Sequence, residues 1–423
     1  MKSLTFIQKT KITSLDLSLK NIGNEGCIEL SKLLKKENQL KELNLNNNNI
    51  EKLGADQLFL SLKDNKELLM LDLGNNYLNS ELQQLERMIK ENNNLTFLNL
   101  WNNKICDEGL KYLSEGLKIN SSLRSLNISK NYLKDLSFLS DALKINQSLT
   151  HLNLWNNKIT QESIKNLGDA LKINNSIDTL ILNSNKIKPV GASYLFESLC
   201  ENNSLKKMVM MNCELENEGM KYIASALQKN SALTELDLTE NQIFDDGLDY
   251  LCDSLLLNTT LTSINLSDNN IKRMNFFSLV LKKNDTLKII DLSKNEVDDQ
   301  GNKYFFHLRS FFLFDLFKIG VVIVMEGLKI NKVVSHLNIS NNRFSNFNSI
   351  SNEINFILGC NEEWTPESHL DCQRSFRIAV KFLVLCIKRI LERTKIPKFV
   401  MFDIIKKIDR KTFKRNNRKR KLR

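Results

Sequence analysis

Apolar residues recur along this chain with one fixed rhythm. The pattern L-x-x-L-x-L-x-x-N-x-I/L begins at Ile12 and returns at Leu40, Leu68, Leu95, Leu123, Leu149, Ile177, Leu205, Leu233, Leu261, Leu287 and Val334. Most spacings are 26 to 28 residues. The alternation x-L-x-L-x predicts a short strand, because successive side chains of a strand point to opposite faces. The second half of each unit has helical apolar spacing, as in GLKYLSEGLKIN (109–120) and GMKYIASALQKN (219–230). Each unit is therefore expected to be a strand, a turn and a helix. One such unit cannot bury both of its apolar faces, but stacked neighbours can.

The ninth position of a unit is asparagine at Asn48, Asn76, Asn103, Asn131, Asn157, Asn185, Asn241, Asn269, Asn295 and Asn342. Its side chain is expected to bond backbone groups of a turn that no strand ladder satisfies. Lys20 and Cys213 replace it. Lys20 suggests an atypical first unit, and Cys213 reads as a structural substitute rather than a reactive thiol.

A strand, turn and helix in about 28 residues, with N-x-I-x-x-x-G turns, resembles the leucine-rich repeat. The unit length points to the ribonuclease-inhibitor-like subclass, also found in the repeat regions of NOD-like receptors. The resemblance covers about residues 12–346 in twelve in-phase units. It implies an α/β solenoid (a horseshoe with an inner parallel β-sheet and outer helices) plus a small C-terminal α-helical segment. The expected organisation is an N-terminal cap at 1–11, the solenoid at 12–346, a helical cap or accessory segment at 347–413 and a basic disordered tail at 414–423.

The rhythm breaks once, between Leu287 and Val334. Removing His307 to Met325, HLRSFFLFDLFKIGVVIVM, restores a regular unit. An insertion on the helix side, an unspliced segment of a gene model, and a membrane or partner hairpin all remain open. Arg309, Asp315 and Lys318 interrupt the stretch, which is too short to span a bilayer uncharged.

In each unit the third, fifth and seventh residues are expected on the concave face of the sheet. Most are small or polar, such as Ser263, Asn265 and Ser267. The middle units differ, presenting Phe97 and Trp101, His151 and Trp155, Ile181, then Val209 and Met211. Trp101 and Trp155 belong to the repeated stretch LNLWNNKI and fall two strands apart, roughly 10 Å. With small Ser129 between them, they predict a slot with two aromatic walls. Clustered aromatic groups on a rigid surface are usual anchors for a protein partner. Phe97, Trp101, His151, Trp155, Ile181, Val209 and Met211 are thus the expected partner-binding residues. The alternative is that each indole lies flat over its own turn, shielding the asparagines.

Composition narrows the function classes. The chain has 423 residues and a net charge of +11, but Gln373 to Arg423 alone carries +16, leaving the first 372 residues at −5. The eight cysteines are scattered without a CxxC pair, as suits reduced thiols in a cytoplasmic protein. No signal peptide or transmembrane segment is expected. No GxxxxGK[ST], HExxH or GxSxG occurs, so no catalytic residue, cofactor or metal is expected. Cys360, His369 and Cys372 make a poor zinc set.

The C-terminal region leaves several readings. Residues 374–393 suit a helix capping the last repeat. IPKFVMFDIIKKI (396–408) resembles the first helix of F-box motifs, which implies a substrate adaptor of a ubiquitin ligase. The repeats also resemble Ran GTPase-activating proteins, which implies a regulator of a small GTPase, although their acidic C-terminal region is basic here. The run KRNNRKRKLR (414–423) reads as a solvated tail, a nuclear-import signal, or a contact for nucleic acid or anionic membrane. The leading expectation is a non-enzymatic scaffold that binds a protein on its concave repeat face.

Overall fold

A computed structural model describes residues 12–35, 39–298, 328, 331 and 333–343. The expected N-terminal cap, the extra segment 307–325, the C-terminal segment and the basic tail lie outside the described residues, as do Cys360, His369 and Cys372.

Among the described residues, twelve three-residue strands form one parallel sheet in chain order. They are β1 (Ser14–Asp16), β2 (Glu42–Asn44), β3 (Met70–Asp72), β4 (Phe97–Asn99), β5 (Ser125–Asn127), β6 (His151–Asn153), β7 (Thr179–Ile181), β8 (Lys207–Val209), β9 (Glu235–Asp237), β10 (Ser263–Asn265), β11 (Ile289–Asp291) and β12 (His336–Asn338). The described helices alternate with them. They include α1 (Gly23–Leu34), α4 (Asp107–Leu117), α8 (Glu216–Leu227) and α9 (Asp245–Leu255), counted in chain order. The register equates the same position of every unit, as in Phe97 with Ser125 and Ser125 with His151. The structure is a leucine-rich-repeat solenoid, as the spacing predicts.

Leucines of the strand and of the helix meet in one continuous core, including Leu98, Leu100, Leu110 and Leu113 of the fourth unit. Each unit shares this core with its neighbours, so the array is held by contacts between consecutive units. Helices come close where glycine stands: a Cβ on Gly54 would meet the Asn24 Cα at 2.7 Å.

Buried asparagines serve the backbone in two rows. In the first, the ninth residue reaches back one unit. Asn131 Oδ1 accepts from the N–H groups of Asn103 and Ile105, and its Nδ2 donates to the carbonyls of Leu100 and Ile128. Cys213 takes this place in the eighth unit with its Sγ directed at the carbonyls of Leu182 and Met211. Burial pushes its thiol up to about 12, consistent with a structural role. The second row closes the helices and is absent from the sequence expectation. Asn120 Nδ2 donates to the carbonyls of Ile89 and Asn92, while its Oδ1 accepts from Ser122 and Leu123.

The eighth residue of all twelve units is left-handed, with φ between 49° and 59°. Asparagine tolerates that conformation better than most residues. This explains the asparagine pairs of the sequence: the first turns the chain, and the second bonds the neighbouring unit. The repeat also resumes in phase after the long eleventh unit. Ile289 pairs with His336, and Asn331 Nδ2 donates to the carbonyls of Leu281 and Asn284 as its equivalents do elsewhere.

Candidate functional site

The strands place Phe97, His151, Ile181 and Val209 on the face opposite the leucines, and Trp101, Trp155 and Met211 each follow two residues past a strand end. Phe97, Trp101, Trp155, Ile181, Val209 and Met211 are half-buried, and His151 is exposed. His151 Nδ1 lies 2.8 Å from the hydroxyl of Thr150 and 3.6 Å from Asp178 Oδ1.

The fifth position is structural in most units. Its Asp or Asn side chain accepts the N–H of the seventh residue, closing a turn at the end of the strand. The bond is made by Asp16, Asn44, Asp72, Asn99, Asn127, Asn153, Asp237, Asn265, Asp291 and Asn338. Only Ile181 and Val209 break the series, and they are register partners on adjacent strands. In the eighth unit the bond is made differently: Asn183 Oδ1, from the seventh unit, accepts the N–H of Met211 at 2.9 Å. Two neighbouring units thus give up the polar side chain at this position and place apolar groups on the open face.

The tryptophans stand otherwise than the sequence predicts. No empty slot separates them. Ser129 is buried, and the next residue, Lys130, extends its ammonium between the two indoles, 5.4 Å from the Trp101 ring and 4.7 Å from the Trp155 ring. Nor does either indole shield only its own turn. Trp101 leans on the preceding unit, where a Cβ on Gly74 would fall onto its ring. Trp155 leans the other way, and its Nε1 donates to Ser184 Oγ of the following unit at 3.3 Å. The two rings and the lysine therefore form one set tied to the repeats on both sides. A lysine three residues past the strand carries no apolar signal, so the pattern of apolar positions does not single it out.

Met70 is a second residue the sequence reading missed. It is 39% exposed and pairs in register with Phe97 on β4. The apolar surface therefore begins one strand earlier than expected. Ile289 on β11 is 49% exposed but lies three strands beyond β8.

Among the described residues there is no group of acids, histidines and cysteines able to hold a metal, and no helix long and apolar enough to cross a membrane. The five described cysteines are free thiols.

Two family models recognise the repeats in the sequence. A family model described as Leucine Rich repeat matches residues 8–31, 38–59, 91–114, 229–252, 257–272 and 283–305. A second, described as Leucine Rich Repeat, matches residues 148–170. None of the curated proteins searched matches the chain. Among solved structures, an internalin (InlF) from Listeria monocytogenes str. 4b F2365 is 18% identical with a TM-score of 0.43, over 81% of this chain and 84% of that one.

Proposed function

From the premise of a leucine-rich-repeat solenoid, we propose that this chain is a non-enzymatic scaffold that binds a protein partner on the concave face of its sheet. Its repeats are those of the ribonuclease-inhibitor-like subclass. The observation that carries the reading is the pair Ile181 and Val209. Ten units keep a polar bond at that position, and the two that abandon it are adjacent and place apolar groups on the open face. Fold stability does not call for this substitution, because the opposite face of the sheet already supplies the core. Apolar groups on a rigid, otherwise polar face are what a protein interface uses as anchors.

The centre of the surface is Phe97, Trp101, Trp155, Ile181, Val209 and Met211, with His151 at its polar edge and Met70 extending it by one strand. Changing both Trp101 and Trp155 to Ser is expected to abolish partner binding while circular dichroism stays near that of the wild type. Partner affinity unchanged in a folded double variant would move the site elsewhere.

A further inference from the structure

We propose that the partner presents an acidic segment, and that a lysine row along the loop rim beside the open face recognises its carboxylates. The inference rests on the concave-face reading above and names the chemistry of the partner. From the eighth to the twelfth residue, units four to seven hold Lys104, Lys130, Lys134, Lys158, Lys186 and Lys188, with no Asp or Glu. The same stretch of units eight and nine holds Glu214, Glu216 and Glu240, with no lysine. The charge reverses abruptly at the boundary, where Lys186 pairs with Glu214 at 3.1 Å. Among the described residues, no carboxylate lies within ion-pair distance of Lys104, Lys130 or Lys158.

These three lysines are held by rings instead. Lys104 stands 4.5 Å from the ring of Tyr77, Lys158 stands 4.9 Å from Tyr132, and Lys130 stands between the two indoles. A ring attracts the cation and restricts a long side chain without neutralising its charge. The result is a row of positioned ammonium groups whose charge is left for a partner. Lys130 joins the row to the anchors, because the Trp101 and Trp155 rings that hold it belong to the proposed binding surface. Asn102, Lys130, Tyr132, Asn156 and Lys158 line a shallow pocket at the centre of the row.

Acidic peptide fits this arrangement better than nucleic acid. Proteins that bind single strands offer free ring faces on which bases stack. Here the rings of Tyr77, Trp101, Tyr132 and Trp155 each face a lysine, and Trp101 also lies against Gly74.

The test uses the full chain and a fluorescein-labelled glutamate 12-mer, with a single-stranded oligonucleotide of equal charge as the second probe. Anisotropy reads the affinity, and unlabelled 12-mer reads the change in tryptophan emission. The variant K130Q/K158Q is expected to bind the glutamate peptide about tenfold more weakly and to lose the emission change, while K130R/K158R retains both. Equal affinity of wild type and K130Q/K158Q would overturn the proposal, even with the basic tail binding both. So would tighter, lysine-dependent binding of the oligonucleotide. If a protein partner is lost with W101S/W155S but kept with K130Q/K158Q, the concave-face reading stands and the acidic-segment inference fails. A thermal melt of each variant separates these results from misfolding.

Discussion

Restoring the repeat's own polar residue at Ile181 or Val209 separates what the fold needs from what the surface does. In Ile181→Asn, the new side chain can accept the N–H of Asn183, as Asn153 accepts that of Trp155 at 2.9 Å in the preceding unit. Such a bond contributes about 1 kcal/mol. Against it stands the burial lost with a half-exposed aliphatic side chain, also about 1 kcal/mol. Ile181→Asn should therefore unfold within about 1 kcal/mol of the wild type. Val209→Asn loses similar burial but gains little, because Asn183 already accepts the N–H of Met211. It should be about 1 kcal/mol less stable than Ile181→Asn. Urea unfolding followed by circular dichroism measures the difference, and partner binding should fall in both variants. Losses above about 3 kcal/mol in either would mean that the pair is core. A Val209→Asn variant more stable than Ile181→Asn would contradict the hydrogen-bond argument.

Two further outcomes follow from buried groups. Asn131→Ala leaves the N–H groups of Asn103 and Ile105 and the carbonyl of Leu100 without the partner Asn131 supplies, which should cost about 3 kcal/mol in urea unfolding; a loss below about 1 kcal/mol would show that the ladder is replaceable. Asp249, on α9, has its carboxyl raised to about 6, first by burial and then by Asp245, Asp246 and Asp253, against the pull of Arg273. The folded state thus holds this proton more tightly than the unfolded chain does, so its contribution to stability falls as pH rises from about 4 to about 6. Asp249→Asn should flatten that part of the stability profile and be the more stable protein at pH 7; an unchanged slope would refute the assignment.

The fold was legible because its physics repeats. The leucine period, the ninth-position asparagine and the unit length specify the strands, the helices and their in-phase stacking, and the register agrees unit by unit. The surface was legible only in part. Trp101, Trp155, Ile181, Val209 and Met211 depart from a polar consensus at outward positions, so counting along the repeat finds them. Lys130 stands just past the strand, in the left-handed turn, and no periodicity says that its side chain runs between rings two units apart. The direction in which each indole leans depends on Gly74 in one neighbouring unit and Ser184 in the other, contacts between segments that one-dimensional spacing does not encode. Met70 looked unremarkable because methionine suits either face of a strand.

The most direct test of the concave-face claim is site-specific photocrosslinking to the bound partner. A benzophenone side chain placed at Met211, half-buried beside Val209 on the open face, should capture the partner, and the W101S/W155S background should abolish the product. The same group at Tyr222, exposed on helix α8 and 40% accessible, should capture none. Capture at Tyr222 and not at Met211 would place the partner on the helices and contradict the account.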